Sequence, residues 1–197
     1  LPVPHGQYYF DYNNISSYDQ RVTSAGIIEE PIVVLPTAEN VLDRTRAKGV
    51  SIKNAMATRM DDYVGAVLGK LEALGLSDNT IVIFTSDHGS RGKNSVFEGG
   101  AKVPMMVKWP DRIEAGTEND SLIGNVDIAA TLIEVAGGTT PKDMSLDGSS
   151  FLPQLVSQAE PKDWRTSMLI EAGNSRAIVT RDWKYIANRV PPKVAAK

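Results

Sequence analysis

One stretch constrains the fold more than any other: Thr80-Ile81-Val82-Ile83-Phe84, an unbroken β-branched and aromatic run directly before Thr85-Ser86-Asp87-His88-Gly89. A strand with one face in water alternates apolar and polar residues, so a continuous run predicts a strand buried on both faces. Upstream, Met56, Met60, Val64, Val67, Leu68, Leu71 and Leu74 recur at spacings of three and four, the stripe of an amphipathic helix that Gly75 ends. Ser77-Asp78-Asn79 supplies the turn between them. Helix, turn and doubly covered strand together predict an α/β layered fold.

The rest of the chain is organised around that unit. Residues 1–50 read as irregular at first and poor in periodicity, with a short candidate strand at Ile32-Val33-Val34-Leu35 and an aromatic patch, Tyr8, Tyr9, Phe10 and Tyr12, that is assigned no role. A second strand is expected at Val103–Trp109, stopped by Pro110, and a helix from Asp127 to Val135, closed by Gly137-Gly138. Thr139 to Asp147 reads as loop. Arg176–Thr180 and Trp183–Ala187 flank Arg181-Asp182 as a hairpin would, with Met168–Ile170 as a neighbouring strand. The tail is thus expected to be antiparallel, unlike the middle, which divides the chain into a partial α/β core domain over residues 1–139 and a small α+β subdomain over 140–197.

Composition removes several classes of function. The 197 residues carry a net charge of −3 and a pI near 5.4, with no basic stripe for nucleic acid. Cysteine is absent, so disulfides, thiolate metal sites and a cysteine nucleophile are excluded within these residues. No apolar run approaches the roughly 20 residues of a membrane span. The opening Leu1-Pro2-Val3-Pro4-His5 lacks the charged and apolar regions of a signal peptide, and no Met begins it. We therefore expect a piece of a longer protein. His5 is given no functional role.

In open α/β sheets, loops at the carboxyl ends of strands project side chains from a rigid base, and Asp87 and His88 occupy such a place. A carboxylate and a neutral imidazole suit a divalent cation, and the glycine after them permits close approach. The same residues serve equally well as a turn or cap. Lys93 lies in the glycine-rich, charged stretch Ser90–Gly100, where an ammonium can meet a sulfate or phosphate oxygen or simply face water. Glu98 can orient Lys93 or Arg91, or stay solvated.

These segments, in this order, resemble the sulfatase family. The resemblance runs through Asp61-Asp62-Tyr63-Val64-Gly65, Leu74-Gly75-Leu76-Ser77-Asp78-Asn79 and the strand to Asp87-His88-Gly89. It continues through Gly92-Lys93, Phe97-Glu98-Gly99-Gly100-Ala101-Lys102-Val103-Pro104 and Trp109-Pro110, then Asp127-Ile128 with Leu132. Leu146-Asp147-Gly148, Phe151-Leu152, Arg176-Ala177 and Trp183-Lys184-Tyr185 complete it, so that it covers residues 52–187. The resemblance implies an alkaline phosphatase-like fold, a mixed sheet flanked by helices with a small C-terminal antiparallel subdomain. It implies that Asp87 binds a divalent cation, usually calcium. His88 becomes a second metal ligand or a hydrogen-bond donor to substrate, and Lys93 contacts the sulfate group. The substrate class is a sulfate ester, either a small molecule or a sulfated saccharide.

One departure matters. The family's nucleophile is a formylglycine made from Cys or Ser in a Cys/Ser-x-Pro-x-Arg motif, and no such motif occurs here. The paired aspartates that complete the family's cation site are also missing, and Asp61-Asp62, on a helix, cannot replace them. The resemblance therefore implies that the nucleophile lies in an N-terminal part and that this chain alone is inactive. A phosphonate or phosphate ester hydrolase of the same superfamily, and a binding module that keeps the fold without chemistry, are the competing readings. Family members commonly work in periplasmic, secreted or lysosomal compartments. A chain lacking its other half is expected to expose sheet edges and apolar surface.

Overall fold

The computed structural model describes residues 21–28, 34–51, 54–89 and 91–189. The chain divides into two compact units, Leu1–Ser77 and Asp78–Lys197. His5 and the aromatic patch from Tyr8 to Tyr12 lie outside the described residues, as does part of the candidate strand at Ile32–Leu35, whose Val34 and Leu35 form a turn and a bend.

In the first unit, β1 (Arg21–Thr23) and β2 (Gly26–Ile28) form an antiparallel pair. Two helices follow, α1 (Ala38–Ala47) and α2 (Ala55–Ala73). Thr37 caps α1: its Oγ1 accepts the Asn40 N–H at 3.3 Å, satisfying one of the amides that a helix start leaves open. Val41, Leu42 and Ala38 are buried against Ala55, with Met56 packed on the cluster. Arg44 on α1 pairs with Asp62 on α2. The expectation that this region is irregular is therefore corrected. α1 buries a face made of Ala38, Val41, Leu42 and Thr45, two of which are too small or too polar to register as an apolar stripe.

α2 is the helix that the spacing predicts. Gly75 terminates it in the left-handed region at φ +66°, where Leu76 N–H reaches Leu71 O at 2.9 Å and Gly75 N–H reaches Glu72 O at 2.9 Å, closing the last carbonyls.

The second unit opens with β3 (Val82–Thr85), α3 (Glu98–Ala101) and β4 (Met105–Lys108). β3 and β4 are antiparallel, with Thr85 opposite Met105 and Val82 opposite Lys108. β3 is half-buried along its length rather than covered on both faces, and the middle of the chain is not parallel here. The reason lies in the connection: a parallel neighbour needs a crossover that returns the chain to the strand's starting end. Here the chain re-enters beside Thr85, with only the four residues of α3 in helix between the strands. The described residues 86–89 and 91–104 therefore gather at the carboxyl end of β3.

α4 (Val126–Val135) and α5 (Leu152–Val156) follow. Gly137 at φ +66° and the bond from Gly138 N–H to Ile133 O at 2.9 Å end α4 where the glycine pair predicts. The last element is a three-stranded antiparallel sheet, β5 (Met168–Ala172), β6 (Ser175–Val179) and β7 (Lys184–Asn188), with β6 in the middle. Both hairpins match the expected tail. Among the described residues no helix is long and apolar enough to cross a membrane.

Candidate functional site

β3 delivers Ser86, Asp87 and His88 at its carboxyl end, and local hydrogen bonds fix the turn. Ser86 Oγ donates to His88 O at 2.8 Å. Asp87 Oδ1 accepts the His88 backbone N–H at 2.9 Å. Asn125, immediately before α4, donates its Nδ2 to Ser86 O at 3.0 Å, so the helix start and the strand end are joined. The Asp87 side chain is 81% exposed. Desolvation would raise its pKa, but the His88 amide, the His88 imidazole, its own amide and the Ser86 hydroxyl outweigh that and hold the carboxyl below its ordinary value. Asp87 is thus an exposed, ionised carboxylate, as a cation ligand must be.

His88 Nδ1 lies 2.9 Å from Gly89 O. A carbonyl only accepts, so Nδ1 carries the proton there. In the neutral ring Nε2 then presents a lone pair, and it stands 3.3 Å from Asp87 Oδ2. Two lone-pair atoms at that separation repel unless a proton on Nε2 or a cation lies between them. The pair is thus either an ion pair through a proton on Nε2 or, with the ring neutral, two donors that could share a divalent cation. It supplies only part of a coordination shell: among the described residues no group of three or more His, Cys, Asp or Glu side chains could hold a metal ion, whereas calcium takes about six to eight ligands.

The second component is the segment from Arg91 to Ala101, held by glycines. Gly89 N–H donates to Gly100 O at 2.9 Å. A Cβ built on Gly89 would stand 2.1 Å from Gly99 O, one on Gly99 would stand 2.0 Å from Arg91 O, and one on Gly100 would stand 2.0 Å from Gly92 O. No side chain fits at those distances, so backbone packs directly on backbone. Lys93 sits exposed on this segment, between Gly92 at φ +98° and Asn94 at φ +63°. The structure thus brings Asp87 and His88 into contact and sets the Lys93 segment alongside them through the Gly89, Gly99 and Gly100 backbone.

Glu98 does not orient Arg91 or Lys93 through an ion pair. Its Oε1 is 2.6 Å from the ammonium of Lys184 on β7. Lys184 is the residue that sequence reasoning misses. A signal for it is present: in Trp183-Lys184-Tyr185 the lysine takes the face opposite to Tyr185, which is inward. Asp61 and Asp62 lie on α2 as expected.

Asp127, in the first turn of α4, is fully buried and holds Arg165 bidentately, with Arg165 Nη1 to Oδ2 at 2.6 Å and Nη2 to Oδ1 at 2.5 Å. It also accepts Gly124 N–H at 2.8 Å and Ser149 N–H at 2.8 Å. Arg165 stacks on Trp164, 4.7 Å from the ring centre. This saturated node ties the start of α4 to the segments that carry Ser149 and Arg165.

Comparison with known proteins follows the same residues. The family model described as N-sulphoglucosamine sulphohydrolase, C-terminal, matches residues 86–186, just over half of the chain, and a model for a protein family of unknown function matches residues 47–113. An ulvan-active sulfatase of Formosa agariphila is 40% identical over 127 residues, covering 60% of this chain and 25% of that protein. An N-acetylglucosamine-6-O-sulfatase of Bacteroides thetaiotaomicron is 34% identical over 119 residues, covering 56% of this chain and 21% of that protein. The chain thus spans a quarter or less of the length of these curated relatives. A solved structure of a protein in complex with its substrate D-glucosamine-2-N,6-O-disulfate superposes with a TM-score of 0.62 at 29% identity, over 68% of this chain and 31% of that one.

Proposed function

Because the chain belongs to the sulfatase family, as a C-terminal region of it, we propose that it supplies the cation-binding and sulfate-binding half of a sulfuric ester hydrolase acting on a sulfated saccharide. The observation that carries this reading is the backbone contact that sets Asp87-His88 and the Lys93 segment side by side at the end of β3, where Gly89 N–H meets Gly100 O at 2.9 Å. The saccharide class is supported by relatives named for sulfated sugars.

In this reading Asp87 holds a divalent cation, calcium by family precedent, through an exposed and ionised carboxylate, and His88 completes the pair through Nε2 or donates a hydrogen bond to the substrate. The cation would supply positive charge at the sulfate oxygens as the S–O bond breaks. Lys93 adds a compact ammonium to the same oxygens, an interaction that strengthens as charge develops on them. Gly89, Gly99 and Gly100 keep the two loops in register without side chains between them. No residue here fits the formylglycine motif, so no step is assigned to that group, and the nucleophile has to be supplied from outside these residues.

The test is titration of the 197-residue chain with calcium and with inorganic sulfate in calorimetry. Asp87→Asn is expected to weaken calcium, and Lys93→Ala to weaken sulfate, each by about tenfold or more, the scale of one charge-assisted contact. Unchanged calcium affinity in the first variant removes Asp87 as a ligand. Unchanged sulfate affinity in the second removes Lys93 and returns it to the solvated loop.

A further inference from the structure

We infer that Lys184 is a positioning residue: from an inward place on β7 it holds Glu98, and through Glu98 the glycine turn that keeps the Asp87-His88-Gly89 and Gly92-Lys93 loops side by side. Exposure alternates along β7, with Lys184 and Ile186 inward and Tyr185 outward. An inward strand position ordinarily carries an apolar side chain, yet here it carries an ammonium whose side chain is only 15% exposed. A charge withdrawn that far from water persists with a partner, and the partner is Glu98 Oε1 at 2.6 Å, 86 residues away in sequence.

Glu98 begins α3, and its two successors are the glycines that touch both loops. Gly99 abuts Arg91 O, Gly100 abuts Gly92 O, and Gly100 O accepts the Gly89 amide. The sequence of contacts from Lys184 to Glu98, to Gly99-Gly100, and to both loops is therefore continuous. The polar partner of Lys184 is Glu98, so the lysine acts on the groups assigned to cation or sulfate through the backbone. What the two loops bind rests on the reading of Asp87 and Lys93 above; the clamp itself does not.

Amide hydrogen exchange on the full chain tests this. In Lys184→Met the amides of Gly89, Gly100 and Ala101, each hydrogen-bonded within the two loops or α3, should exchange about five-fold faster, the scale of a partly exposed ion pair. The amides of Ala136 and Gly138, bonded within the end of α4, should not change. The charge-swapped double variant Glu98→Lys with Lys184→Glu should restore slow exchange at the loops, which a residue serving only as general packing would not do. Exchange that stays at the wild-type rate at Gly89 and Gly100, acceleration that is uniform over both sets, or a swap that fails to restore protection each overturns the proposal. Should Lys184→Met fail to fold, Glu98→Ala removes the same contact from its exposed end and must give the same pattern. A Lys93→Ala variant that leaves sulfate binding unchanged removes the site reading and leaves the exchange result standing, so the two failures are separable.

Discussion

Two carboxylates, one after β3 and one at the start of α4, sit in opposite surroundings. Asp87 and Asp127 both have pKa values held below the ordinary one. Asp87 faces water, whereas Asp127 is fully buried and already saturated. For Asp127, desolvation would raise the pKa, and Arg165 together with the Gly124 and Ser149 amides more than reverses it. Because the folded value lies below the unfolded one of about 3.9, the stability contributed is fully present above that pH and is lost as pH falls through the folded value. Asp127→Asn leaves the Arg165 guanidinium without its counter-charge and is expected to lower unfolding stability at pH 7 by about 3–5 kcal/mol in urea titration. The gap between wild type and variant should close as pH falls below about 4. A gap independent of pH would show that the Asp127 charge is not what matters.

At the scale of elements, the glycines sort into those that must be glycine and those that need not be. Gly100 is buried, with Gly92 O and Ser95 O at 2.0 and 3.0 Å from the position of a Cβ. Gly100→Ala should therefore destabilise by about 1–3 kcal/mol and abolish the protection of the Gly89 amide. Gly65 on α2 has nothing within 4 Å of the place a Cβ would take, so Gly65→Ala should stabilise by about 0.5–1 kcal/mol through helix propensity. Thermal and urea unfolding of the two variants should move in opposite directions; equal effects would contradict the backbone packing of the loop. The same distinction explains what can be read from the sequence. α2, β4, α4 and the tail hairpins are legible because period and turn chemistry are local properties. α1 is not, since Ala38 and Thr45 bury without an apolar signature. The pairing of β3 departs from expectation because an apolar run reports burial tendency and not strand direction. Asp87 and His88 are visible as neighbours, but the roles proposed for them come from the family resemblance, and the Lys184 contact with Glu98, made across 86 residues of sequence, carries no local signal beyond an inward lysine.

For the whole molecule the informative surface is the outer face of the C-terminal sheet. Leu169, Ile178 and Tyr185 lie directly opposite one another across β5, β6 and β7, and they are 58%, 50% and 72% exposed. Trp183, just before β7, is 81% exposed. Single exposed apolar residues are ordinary, but a row across a whole sheet is a contiguous patch, and patches of that kind drive association unless something covers them. The edge strands β5 and β7 add backbone groups that another strand can pair with. Placing a charge in the centre of the row gives every approaching apolar surface a desolvation penalty, while the outward side chain it replaces contributes little to the core. Ile178→Lys is therefore expected to reduce concentration-dependent association of the 197-residue chain in light scattering, and to leave the unfolding free energy within about 0.5 kcal/mol of wild type, as for other surface substitutions. Ala177→Lys, at the neighbouring buried position of the same strand, should instead unfold the sheet. If association persists in Ile178→Lys, the row is not the adhesive surface, and the edge of β5 or β7 is the next place to put a charge.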